Sequence, residues 1–92
     1  MADKRVHVFV EGTVQGVFFR AETQKTANSY NVKGWVKNLY DGRVEAIFEG
    51  KEADVGRVVL WCYQGPEYSS VTRVEVKEEA FTGEFDSFSI TY

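Results

Sequence analysis

Polar and apolar residues alternate from Arg5 to Glu11, with Val6, Val8 and Val10 on one face and His7, Phe9 and Glu11 on the other, which predicts a strand. The alternation breaks at Gly12-Thr13-Val14-Gln15-Gly16-Val17, a loop holding two glycines. Arg20 to Tyr30 contains neither Gly nor Pro, and Ala21, Gln24, Ala27 and Tyr30 recur at helical spacing, so a helix is expected to end near Asn31. Lys33 to Leu39 reads as a second strand, Tyr40-Asp41-Gly42 as a hairpin turn, and Arg43 to Glu49 as a third strand with Val44, Ala46 and Phe48 inward. Glu52 to Tyr63 carries Val55, Val59, Cys62 and Tyr63 on one helical stripe, and Gly65-Pro66 stops it. Val71 to Lys77 forms a fourth strand, and Phe88, Ile90 and Tyr92 alternate inward on a short fifth.

The order is βαββαβ plus a terminal strand. Two interleaved right-handed βαβ units give an α+β, ferredoxin-like sandwich: an antiparallel sheet with both helices on one face. With 92 residues and a single proline, the chain reads as one domain spanning 1–92. In this topology the first and second strands run parallel with the third between them. Their C-terminal ends share one edge of the sheet, which brings the Gly12–Phe19 loop, Arg20 and Asn38 together.

Charge and cysteine usage narrow the chemistry. The net charge is −3, which argues against a nucleic-acid partner. Between Arg20 and Ile47, however, five basic residues face three acidic ones, so a small anion has a place to go. Cys62 is the only cysteine and His7 the only histidine; a single cysteine excludes an internal disulfide and a cysteine-based zinc site. No apolar run approaches the ~20 residues of a membrane span. The expectation is a reduced, cytoplasmic protein, off the membrane and monomeric. His7, mid-strand, and Cys62, on the helix stripe, read as structural, while Glu78-Glu79 and the run from Glu49 to Asp54 read as solvated faces.

A loop feeding a helix N-terminus presents unpaired N–H groups and the positive end of the helix dipole, a cradle for an anion. None of Val17, Phe18, Phe19 and Arg20 is a capping residue type, as suits a start capped by a bound anion, with water as the plain alternative. Arg20 offers a planar fork for two oxygens of one phosphate, and a cation in that first turn otherwise opposes the dipole. Asn38, taken alone, is as well explained by the turn that follows it.

The segments Gly12-Thr13-Val14-Gln15-Gly16-Val17-Phe18-Phe19-Arg20 and Gly34-Trp35-Val36-Lys37-Asn38-Leu39-Tyr40-Asp41-Gly42-Arg43-Val44-Glu45 resemble the two signature segments of the acylphosphatases. The similarity runs through Gly65-Pro66 to Phe88-Ser89-Ile90-Thr91-Tyr92. It implies hydrolysis of acyl phosphates such as acetyl, carbamoyl or benzoyl phosphate, without metal or cofactor, and inorganic phosphate or sulfate as a competing ligand. The family's catalytic arginine and asparagine fall on Arg20 and Asn38, and its phosphate loop on Gln15, Gly16, Val17, Phe18 and Phe19. Thr13 departs from the family's frequent basic residue, and Phe18 stands where many members have glycine. The competing readings are a non-catalytic anion-binding or interaction module of the same fold and, last, an RNA-binding domain. The second of these would need a basic sheet, whereas the outward residues of the third strand include Glu45 and Glu49.

Overall fold

The computed structural model describes residues 2–92. Five strands and two helices follow in the order β1 (Asp3–Thr13), α1 (Phe19–Ser29), β2 (Lys33–Asn38), β3 (Val44–Lys51), α2 (Glu52–Gln64), β4 (Ser70–Glu79) and β5 (Phe88–Ile90). The sheet order is β4-β1-β3-β2-β5, with the first four strands antiparallel and β5 parallel to β2. The fold is the expected ferredoxin-like sandwich, with one correction: the added strand makes the sheet mixed rather than antiparallel throughout.

Val6, Val8 and Val10 of β1, Val36 of β2, and Val44, Ala46 and Phe48 of β3 turn to the helices and are buried, as their alternation requires. Opposite them lie Phe19 and Ala27 of α1 and Val55, Val58 and Cys62 of α2. The stripes on both helices differ from the expected ones. On α1 the buried residues are Phe19, Thr23 and Ala27, because the Thr23 hydroxyl donates to the Phe19 carbonyl at 2.7 Å and so enters the core satisfied. Ala21 and Tyr30 are left exposed. On α2 Val58 is buried, Val59 only in part, and Tyr63 faces outward. β5 ends at Ile90, and Tyr92, expected inward, is exposed.

The face away from the helices is not the solvated surface that the acidic residues suggest. Glu49 is 2% exposed there. Its carboxylate accepts from Arg5 at 3.1 Å, from the amide and hydroxyl of Thr82 at 3.0 Å each, and from the Gly83 amide at 3.1 Å. The segment after β4 therefore folds back over the sheet, strapped to a buried charge. Beside it, His7 lies between Glu45, 2.6 Å from Nε2, and Glu79, 3.1 Å from Nδ1.

Candidate active site

Val10 of β1 and Asn38 of β2 both stand opposite Val44 of β3, so the end of β2 is level with Val10, three residues before β1 ends at Thr13. From the β1 end the chain passes buried Val14 and reaches Gln15, whose side-chain amide donates to the carbonyls of Leu39 at 2.7 Å and Arg43 at 2.9 Å. Gln15 thus ties the loop to the β2–β3 turn instead of turning its side chain toward a ligand. Gly16 (φ 75°) and Phe18 (φ 66°, ψ 21°) then adopt left-handed conformations that curl the loop into the start of α1. Such alternation makes successive N–H groups converge.

Phe19 anchors that start, buried with its ring 5.3 Å from that of Trp61. Phe18, at the N-cap, makes no side-chain capping bond, and the first intrahelical bond runs from the Glu22 amide to the Phe18 carbonyl at 3.0 Å. The amides of Phe19, Arg20 and Ala21 accordingly have no acceptor within the helix. The side-chain cap is missing, as the residue types predict.

Arg20 lies in this first turn with its guanidinium carbon 5.2 Å from the Tyr92 ring. Among the described residues no carboxylate comes within ion-pairing reach of it. A cation held unpaired at the positive end of a helix dipole is unfavourable unless an anion joins it. Across from it, the Oδ1 of Asn38 is buried with no hydrogen-bond partner in the protein. An acceptor left so costs about 1–3 kcal/mol, which a donor arriving in the cleft would recover. A cleft of about 370 Å³ brings these groups together: Gly16, Phe18, Phe19, Arg20, Ala21 and Asn38 line it, with Val14, Ile90 and Tyr92 completing the walls. It adjoins a second hollow of about 410 Å³ bounded by Lys37, Leu39 and Tyr40 and sharing Arg20, Asn38 and Tyr92.

The structure thus gathers Gly16, Phe18, Phe19, Arg20 and Asn38 at one site. Val17 packs against the core and Gln15 braces the loop from behind. Thr13 pairs with Ser70 at the end of β1 and does not line the cleft. Four lining residues lie outside the expected site: Val14 and Ala21 flank its loop, and Ile90 and Tyr92 come from the far end of the chain. The parallel pairing of β5 with β2 brings them there, and no pattern local to residues 88–92 announces it. The remaining reactive side chains lie elsewhere. Cys62 is buried, and desolvation pushes its thiol up to about 12, so it carries no thiolate at neutral pH. A larger cleft of about 550 Å³ opens on the other face beside Trp35 and Lys37, but Glu84 and Asp86 line it and would repel a phosphate. Among the described residues no three His, Cys, Asp or Glu stand together as a metal-ligand set, and no helix is long and apolar enough to cross a membrane.

The acylphosphatase family model matches residues 6–90. The chain belongs to the acylphosphatase family. It is therefore an enzyme, a hydrolase of acyl phosphates. The acylphosphatase of Syntrophus aciditrophicus is 56% identical over 97% of this chain and 93% of its own. Among solved structures, the acylphosphatase from Bacillus subtilis superposes with a TM-score of 0.93 at 38% identity, covering 97% of this chain and 99% of that one. That from Coxiella burnetii gives 0.92 at 34% identity, over 97% and 93%. An acylphosphatase must hold a phosphoryl group and bring water to it, and the cleft at Arg20 and Asn38 offers groups for both tasks.

Proposed function

We propose that this cleft carries out the hydrolysis, with the loop amides and Arg20 holding the phosphoryl group and Asn38 placing the attacking water. The observation that carries the reading is that one cleft is lined both by Arg20, a guanidinium with no carboxylate partner among the described residues, and by Asn38, whose buried Oδ1 has no donor. Two phosphoryl oxygens fit the fork of Arg20, and the amides from Gly16 through Ala21 serve as further donors. Water donating one hydrogen bond to Asn38 Oδ1 is left with a lone pair free to point at phosphorus.

The step balances without a cofactor. The water oxygen forms a bond to phosphorus, and the bond from phosphorus to the acyl oxygen breaks with its electron pair going to the carboxylate. One water proton passes to a phosphoryl oxygen, giving the carboxylate and dihydrogen phosphate. A carboxylate leaves with a pKa of about 4 and needs no general acid, so the distance of His7 and Cys62 from the cleft is no obstacle. What remains is charge stabilisation and in-line placement, which suits a rigid loop, one arginine and one amide.

Inorganic phosphate should occupy the same donors and compete with substrate, as should sulfate. The protein is expected to act as a cytoplasmic monomer. Benzoyl phosphate hydrolysis followed by ultraviolet absorbance, with a chelator and with phosphate added separately, tests the site. The expected result is turnover indifferent to chelator and inhibited competitively by phosphate. Loss of activity with chelator, or indifference to phosphate at many millimolar, would overturn the assignment.

A further inference from the structure

Phe18 is the one residue of the cleft whose backbone and side chain are both poorly placed for stability. It is a non-glycine residue at φ 66°, and its ring is 75% exposed. A left-handed conformation at a bulky residue is unfavourable and persists where the surroundings impose it, often at functional positions. Tyr92 lines the same cleft with its ring 94% exposed, lying over Arg20. Two aromatic rings therefore border the cleft, and neither is packed into the core. They reach it from different parts of the chain. Phe18 comes from the connection leaving β1, and Tyr92 follows β5, beyond β2.

We propose that Phe18 and Tyr92 clasp the acyl half of the substrate, and that the enzyme on this account favours aromatic over small aliphatic acyl phosphates. The inference rests on the assignment of the phosphoryl group to Arg20 and the loop amides. An acyl phosphate is bipartite, so its carbonyl and substituent must leave the phosphoryl site through a wall of the cleft. In-line attack requires the leaving group to lie opposite the water. Asn38 is proposed to hold that water from the end of β2, while Phe18 stands at the N-cap of α1, which packs over β2 and β5, and Tyr92 follows β5. The acyl group has to pass a wall of the cleft, and the exposed rings of Phe18 and Tyr92 are the aromatic surfaces that the cleft offers it. A benzoyl ring would gain offset or edge contacts with these two rings that an acetyl methyl cannot make.

The test is the ratio of kcat/KM for benzoyl phosphate to that for acetyl phosphate, since a general loss of loop order cancels in the ratio. Phe18→Gly suits the left-handed backbone and removes only the ring. It should lower the ratio about five-fold, the scale of one or two aromatic contacts. Tyr92→Leu should lower it similarly, and Tyr92→Phe should keep it. The inhibition constant of inorganic phosphate in Phe18→Gly should stay within about two-fold of the parent, as a backbone cradle predicts. If both substrates fall by the same factor in Phe18→Gly and Tyr92→Leu, or if the ratio does not move, the clasp is wrong while the phosphoryl site stands. If the parent enzyme shows no phosphate-inhibited turnover of either substrate, the phosphoryl site falls first and the clasp with it.

Discussion

The side-chain amide of Gln15 donates to the carbonyl of Leu39 at 2.7 Å, joining the loop before α1 to the turn that follows Asn38. The two sides of the proposed active-site cleft, 18 positions apart at Arg20 and Asn38, are thus fastened by a residue that does not line it. Gln15→Ala removes this brace. The Leu39 carbonyl still accepts from Gly42, so the stability cost should be only about 1 kcal/mol. Activity should fall by more than stability does, about ten-fold or beyond, because small misplacements are magnified in the transition state. Urea denaturation beside steady-state kinetics makes the comparison; equal, slight effects on both would reduce Gln15 to a surface tie.

Arg20→Ala should cost at least about 2.7–4 kcal/mol of transition-state stabilisation, roughly 10²–10³ in turnover, and should weaken phosphate binding. The fold should hold, changing by under about 1 kcal/mol, since the lost stacking on Tyr92 is offset by removing a cation from a helix N-terminus. Arg20→Lys should restore little, a point charge being no substitute for a fork. Retained activity in Arg20→Lys, or an unfolded Arg20→Ala, is the result that counts against the assignment.

Asn38→Ala takes away the acceptor for water but not the donors for phosphate. Turnover should drop steeply with the inhibition constant of phosphate nearly unchanged, and the variant need not be less stable, because an unsatisfied buried oxygen goes with it. Parallel loss of phosphate affinity would move Asn38 onto the substrate.

Burial alone would raise the Glu49 carboxyl, but the Thr82 amide, Arg5 and the Thr82 hydroxyl outweigh it and hold it below the usual 4.5. A depressed carboxyl stabilises the fold above its unfolded pKa, and that contribution drains away as pH falls through the folded value. Glu49→Gln should therefore be destabilised by about 1–3 kcal/mol near neutrality. The gap to the parent should narrow in acid, as pH falls through the folded value and Glu49 takes up its proton. Urea midpoints at neutral and acid pH decide it, and a gap that does not narrow would show that the charge is immaterial.

The sheet was legible because it follows from local pattern: period-two valines, an Asp-Gly turn, glycines before a helix. The proposed role of Asn38 was not, since alone it reads as a turn residue and only the resemblance of the two segments pairs it with Arg20. The sequence concealed what depends on distant partners. Thr23 looks like a surface residue until its hydroxyl finds the Phe19 carbonyl, and Glu49 looks solvated until residues 82–83 return to cover it. Tyr92 continues an alternation that the pairing does not follow: the Thr91 amide bonds to the Val36 carbonyl at 2.9 Å, strand β5 stops, and the next ring swings out to the cleft.

The shared pairing of Val10 and Asn38 with Val44 makes β3 the ruler of the active site. The loop with Arg20 is carried by one ladder and Asn38 by the other, and no hydrogen bond joins β1 to β2 directly. A slip of one residue in the β2–β3 ladder would shift Asn38 by about 3.3 Å and turn its side chain to the opposite face of the sheet. With Arg20 and Asn38 in the roles proposed for them, catalytic alignment is a matter of strand registration, and turnover would report whether the central hairpin has closed on the right residue.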